Sequence, residues 1–205
     1  MSLVGQPAPD FKLPSTKNLA TLAEDVSLSD YRGKWLVLFF YPMDFTFVCP
    51  TEVTAFRDRL EEFQAIEAEV VGVSTDSKFT HKAWIETARN NNGLGGLNYP
   101  LAADQTLKVS RDYGVLIEAE GVALRGLFII DPEGIVQYEV VHNKSVGRSV
   151  DETLRIIQAL QTGELCAANW QPKPKPQKPP YRPGYFDWTD ADQVTITPPP
   201  SKSGS

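Results

Sequence analysis

The longest uninterrupted apolar stretch of the chain, Trp35-Leu-Val-Leu-Phe-Phe-Tyr41, is closed by Pro42. A run with no polar member has no face to give to water, so it predicts a strand buried on both sides. The period then changes. From residue 50 to about 68 the apolar residues Val53, Phe56, Leu60 and Phe63 recur at steps of three and four, with Arg57, Asp58, Glu61 and Glu62 largely on the other side. That is the stripe of an amphipathic helix. Residues 70–73, Val-Val-Gly-Val, predict a short strand, and 79–89 a second helix. A Gly/Asn loop over 90–96 follows, then a short helix over 104–113 ended by Gly114. The apolar run 127–130 and the segment 135–141 flank the turn sequence Asp131-Pro-Glu-Gly134 and predict strand, turn and strand. The last helix opens at Ser149, with Glu152 three residues on as a capping box, and runs to about Gln161.

Strand and helix alternate early and a hairpin comes late, which predicts parallel strands covered by helices, extended by antiparallel ones. The expected fold is an α/β domain of thioredoxin-like type, a mixed central sheet flanked by helices. It occupies residues 1–170, because composition changes sharply after Trp170. Nine of the sixteen prolines lie beyond that point, and proline at this density sustains neither a helix nor a central strand. Residues 171–205 are therefore expected to form an extended, proline-rich C-terminal tail, partly polyproline II.

Composition narrows the function. Hydrophobic and charged fractions of 41% and 22% are those of a globular protein, and the net charge of −6 argues against nucleic acid as a partner. No apolar run reaches the roughly 20 residues of a membrane helix, and the start MSLVGQPAPDF lacks the basic and apolar regions of a signal peptide. These features point to the cytoplasm and away from membranes. Two cysteines and two histidines neither staple a fold of this size nor make a good metal set, so no metal and no cofactor are expected. His81 and His142 sit in no catalytic pattern and are read as surface residues.

The first cysteine, Cys49, stands between the buried strand and the amphipathic helix. A thiol in a helix's first turn meets unpaired N–H groups and the positive end of the dipole, and both favour the nucleophilic thiolate. The competing reading is a small buried cysteine of the interior. Three features favour the nucleophile: the strand-to-helix position where α/β sheets place ligands, Pro50 with no N–H of its own, and Thr46, whose hydroxyl can turn toward the sulfur or an incoming oxygen. The second cysteine, Cys166, follows the last helix in Gly163-Glu-Leu-Cys-Ala-Ala-Asn-Trp170 and is expected to be mobile.

Pro42, Thr46 and Cys49 match the Pro-x-x-x-Thr-x-x-Cys signature of peroxiredoxins, and FTFVCPTE resembles that of the typical two-cysteine subgroup. The likeness continues at Leu124-Arg-Gly-Leu-Phe-Ile-Ile-Asp131, at Glu52 and around Cys166, and it covers residues 1–170. The resemblance implies a thiol peroxidase acting on hydrogen peroxide and organic hydroperoxides. It assigns Cys49 as the peroxidatic thiol and gives the donor role toward the departing oxygen to Arg125, the Thr46 hydroxyl and the Cys49 backbone N–H. Glu52 would orient Arg125, and Pro42 would cover the site. It assigns Cys166 as the resolving thiol of the partner subunit, hence a homodimer with intersubunit disulfides, assembling as a decamer of five dimers and recycled by thioredoxin or a similar dithiol protein. The usual proline after the resolving cysteine is Ala167 here.

Asn92-Gly-Leu-Gly95 and Tyr185-Phe186 resemble the two motifs of peroxide-sensitive members, and in the family the Tyr-Phe pair packs over the active-site helix. Ordinary turn chemistry accounts for the first equally well. Trp84 fits the helix that abuts the active site in the family and equally a core position. A holdase chaperone in a high-order assembly is the alternative function. A thioredoxin-like disulfide oxidoreductase is disfavoured, since Cys49 has no Cys-x-x-Cys partner.

Overall fold

A computed structural model describes residues 2–172. The tail over 173–205, and Tyr185-Phe186 within it, lie outside the described residues. A two-stranded antiparallel ribbon, β1 (Lys12–Pro14) and β2 (Asp25–Ser27), comes first. The continuous apolar run forms β3 (Trp35–Phe40), followed by α1 (Cys49–Asp58), α2 (Leu60–Gln64), β4 (Ala68–Ser74) and α3 (Lys78–Glu86). Then come β5 (Leu101–Ala103), α4 (Lys108–Asp112) and a small hairpin of β6 (Leu116–Ile117) and β7 (Val122–Ala123). The strands β8 (Arg125–Ile130) and β9 (Val136–His142) lead to α5 (Val150–Gln161).

The central sheet has the order β5-β4-β3-β8-β9. β3 runs parallel to β4, and β4 to β5, while β8 joins β3 and β9 antiparallel. β3 thus lies at the centre, and its side chains alternate between two cores. Val37 and Phe39, with Tyr41 just beyond, join Val53, Phe56, Phe63, Trp84 and Ile157 on one face. Leu36, Leu38 and Phe40 join Leu13, Val26, Val109, Tyr113 and Phe128 on the other. A strand so placed has to be apolar at every position, which is why the longest apolar run of the chain sits here. Among the described residues no helix is long and apolar enough to cross a membrane.

The helix expected over 50–68 is interrupted. Arg59 leaves helical geometry at φ −112°, ψ 9°, and its guanidinium is held by Glu62 and by Asp151 of α5. β4 starts two residues earlier than the apolar run suggested, because Ala68 and Glu69 pair with Trp35 and Leu36. The capping box forms only by half: Ser149 accepts the Glu152 N–H at 3.1 Å, but the Glu152 carboxylate turns to Arg155.

Candidate active site

Where β3 ends, the chain crosses residues 41–48 and enters α1 with Cys49 as its first helical residue and Pro50 as its second. The first-turn N–H groups of a helix have no intrahelical partner, so the sulfur sits at the positive end of α1. Cys49 is fully buried. Arg125, the first residue of β8 and itself 2% exposed, brings Nη1 to 3.5 Å from the Cys49 sulfur. Its Nε donates to the Lys144 carbonyl at 2.7 Å, and Nη1 also donates to Glu52.

Glu52 lies one helical turn after Cys49 and is 4% exposed. It accepts from Arg125 through Oε2 and from Arg148 three times: the backbone N–H at 2.7 Å, Nε at 2.8 Å and Nη2 at 3.1 Å. Burial pushes the Glu52 carboxyl up, but the hydrogen bonds and charge of Arg148, with Arg125 behind them, outweigh it and hold the group below its ordinary range. Two guanidiniums and one carboxylate leave one positive charge in a buried place, facing the sulfur. A thiolate is the anion that would balance it.

Arg148 was not singled out by sequence reasoning. It precedes α5, donates to the Gly126 carbonyl and lies over the Phe39 ring at 5.4 Å. Its only sequence signal was an arginine just ahead of the Ser149 cap, in a stretch without apolar periodicity.

The loop before Cys49 is tightly held. Pro42 is buried. The Thr46 hydroxyl donates to the Met43 carbonyl at 2.9 Å. A hydroxyl has a single proton, so with that proton on Met43 the Thr46 oxygen has only lone pairs left to offer another group. Phe45 adopts the left-handed region at φ 55°, and its carbonyl accepts from the Asn92 side-chain amide at 2.7 Å.

His81 corrects the reading of a surface histidine. It is fully buried, Nδ1 lying 2.7 Å from Asp44 Oδ2 and Nε2 3.3 Å from the Ala102 carbonyl, while the Tyr41 hydroxyl donates to Asp44 Oδ1 at 2.8 Å. His81, Trp84 and Ile85 share the inward face of α3. The partner that makes burial of an imidazole tolerable, Asp44, stands 37 residues away in sequence. Burial outweighs the hydrogen bond and charge of His81 and raises the Asp44 carboxyl above its ordinary range. His142 is half-buried, with an Nδ1 that finds no hydrogen-bond partner among the described residues.

The Asn92–Gly95 motif packs beside this loop. Asn92 is left-handed at φ 61°, and its carbonyl accepts from the Trp84 indole at 3.0 Å. Gly93 admits no side chain, since a Cβ there would come within 2.0 Å of the Thr87 carbonyl oxygen. Arg57 of α1 donates to the carbonyls of Leu94 at 2.9 Å and Gly96 at 3.2 Å. Trp84 is fully buried in the core.

Cys166 lies apart from these groups. It is half-buried beyond the end of α5, its sulfur 3.6 Å from the Thr162 hydroxyl and 3.7 Å from the Ala159 carbonyl, and the neighbouring Leu165 is fully exposed. Both cysteines are free. No cluster of three or more metal-ligating side chains occurs among the described residues.

The AhpC/TSA family model matches residues 4–139. A chloroplastic 2-Cys peroxiredoxin of Hordeum vulgare is 53% identical over 184 residues, covering 87% of each protein. Peroxiredoxin-2 of Bos taurus is 54% identical over 180 residues, 86% of this chain and 89% of that one. The crystal structure of reduced Plasmodium vivax 2-Cys peroxiredoxin superposes with a TM-score of 0.80 at 43% identity, over 83% of this chain and 90% of its own. A thioredoxin-like α/β fold carrying a buried, arginine-faced thiol at a helix start thus meets close relatives over most of its length, and the chain belongs to the AhpC/TSA family as a peroxiredoxin of the two-cysteine type.

Proposed function

We propose that this peroxiredoxin reduces hydrogen peroxide and organic hydroperoxides with Cys49 as the attacking thiol and Cys166 of a partner subunit as the resolving one. The observation that carries the reading is the 3.5 Å approach of Arg125 Nη1 to the Cys49 sulfur inside the Glu52–Arg148 network. The Cys49 thiolate attacks the nearer peroxide oxygen; an S–O bond forms as the O–O bond breaks. The sulfur becomes sulfenic acid and the departing oxygen leaves as water or alcohol after taking a proton. Arg125 and the first-turn N–H of Cys49 supply donors to the charge that develops. Thr46 accepts the peroxide O–H and so orders its approach. Pro42 excludes water from the sulfur.

The Cys166 thiol then condenses with the sulfenic acid, releasing water and forming a disulfide that a thioredoxin-like dithiol reduces. Cys49 and Cys166 touch no common residue in the contacts their sulfurs make, which favours a relay between the subunits of a homodimer. Five such dimers would make the decamer, and a cytoplasmic setting keeps both thiols reduced between turnovers.

Non-reducing electrophoresis after one equivalent of peroxide tests the reading. Wild type should appear as a covalent dimer. Cys166→Ser should stay monomeric yet consume one peroxide, and Cys49→Ser should consume none. An oxidised monomer with an internal disulfide would overturn the two-subunit relay, and turnover by Cys49→Ser would overturn the assignment of the attacking thiol.

A further inference from the structure

Asp76 has no place in the mechanism above, yet it reaches the loop that carries Thr46. It follows β4 and stands just before α3. An acidic residue there is ordinarily read as a helix-capping group. The cap of α3 is already made by Ser77, whose side chain accepts the Thr80 N–H. The Asp76 carboxylate turns elsewhere: Oδ2 accepts the Asp44 backbone N–H at 3.0 Å and the Ser74 hydroxyl at 2.7 Å, and the Asp76 N–H in turn donates to Ser74 Oγ at 3.1 Å.

The Asp44 N–H belongs to the same peptide unit as the Met43 carbonyl, the group that accepts the Thr46 hydroxyl proton. One rigid, planar unit therefore carries Asp76 on its N–H and Thr46 on its C=O. A carboxylate on the N–H polarises the unit and makes its carbonyl the stronger acceptor. The Asp44 side chain, held by Tyr41 and His81, keeps the plane from turning. We propose that Asp76 is a positioning residue which, through the Met43–Asp44 peptide, fixes the Thr46 hydroxyl with its proton turned inward and its lone pairs toward the peroxide. This rests on the role given to Thr46 above.

The test is a double-mutant cycle on the full-length protein. Oxidation of the reduced enzyme by hydrogen peroxide is followed by stopped-flow tryptophan fluorescence, and reduction of the preformed disulfide by dithiothreitol is followed separately. Asp76→Asn, which keeps size but puts a neutral group on the N–H, should lower the peroxide rate constant on the order of tenfold and leave the dithiothreitol step unchanged. Thr46→Val should be slow, and adding Asp76→Asn to it should slow it no further. Thr46→Ser, which keeps the hydroxyl, should stay sensitive to Asp76→Asn. Ser74→Ala, a milder change that keeps the carboxylate, should act in the same direction, again only when Thr46 is present. An Asp76→Asn effect of equal size in the Thr46→Val background, no effect at all, or equal slowing of both chemical steps would overturn the proposal while the Thr46 role survives. A Thr46→Val enzyme as fast as wild type would instead remove the Thr46 role, and the proposal with it.

Discussion

At the residue scale, the site is governed by how a buried carboxylate is shared between two arginines. Glu52 takes one hydrogen bond from Arg125 and three from Arg148. Arg125 therefore keeps one hydrogen bond to the carboxylate and still reaches the sulfur. Arg148→Ala leaves Glu52 paired with Arg125 but strips two charged hydrogen bonds from a buried carboxylate, so it should destabilise the fold by about 3–5 kcal/mol, read as a lower urea midpoint. Arg148→Lys should recover only part of this, since an ammonium lacks the planar fork that spans both Glu52 oxygens. Arg125→Ala acts on the chemistry instead. By analogy with losing an oxyanion donor it should cost about 2–4 kcal/mol of transition-state stabilisation, measured as the second-order rate constant with peroxide. A loss below tenfold would mean that another donor serves the departing oxygen.

On the proposed relay, the elements around Cys49 form a clasp whose strength would set how readily the thiol emerges. A fully buried sulfur has to leave its place before it joins a second cysteine, so resolution depends on local opening of α1 and the loop before it. The Asn92 amide on the Phe45 carbonyl and Arg57 on Leu94 and Gly96 both resist that opening. Asn92→Gly keeps the left-handed backbone available and removes only the side-chain tie. A hydrogen bond contributes about 0.5–1.5 kcal/mol, so the open population should rise about twofold to tenfold. Disulfide formation should quicken accordingly, and the sulfinic yield at Cys49 should fall across a peroxide titration followed by mass spectrometry. Unchanged yields would show that Arg57 and the core contacts of α1 hold the clasp alone.

For the molecule as a whole, two buried carboxyls pull stability in opposite directions with pH. The folded-state Glu52 value lies below its unfolded one, near 4.3, so its contribution is complete above that pH and is lost as pH falls through the folded value. Asp44 lies above its unfolded value, near 3.9, so its contribution is complete below that pH and is lost as pH rises through the folded value. The urea midpoint of Glu52→Gln should therefore fall less between about pH 6 and pH 3 than that of wild type, and that of Asp44→Asn should fall more. A Glu52→Gln profile parallel to wild type would place the acid sensitivity in other groups.

The fold class, the central strand and the helix that begins at Cys49 were legible in the chain because each depends on neighbours in sequence. A period of 3.6, a run with no polar residue, and a proline after a cysteine are local patterns. The short strands β1, β2 and β5–β7, of two or three residues, escaped because no periodicity develops over such lengths. The site divides along the same line. Pro42, Thr46, Cys49 and Glu52 lie within eleven residues, and their motif named them together. Arg148, His81 and Asp76 gain their meaning from partners far off in sequence: 96 residues separate Arg148 from Glu52, 37 separate His81 from Asp44, and 32 separate Asp76 from Asp44. Sequence alone determined which thiol opens the helix and what chemistry its neighbours suit. Only the tertiary structure decided which charges are buried together and which peptide plane is held, because an ion pair or a hydrogen bond to a distant backbone leaves no periodic trace in the chain that makes it.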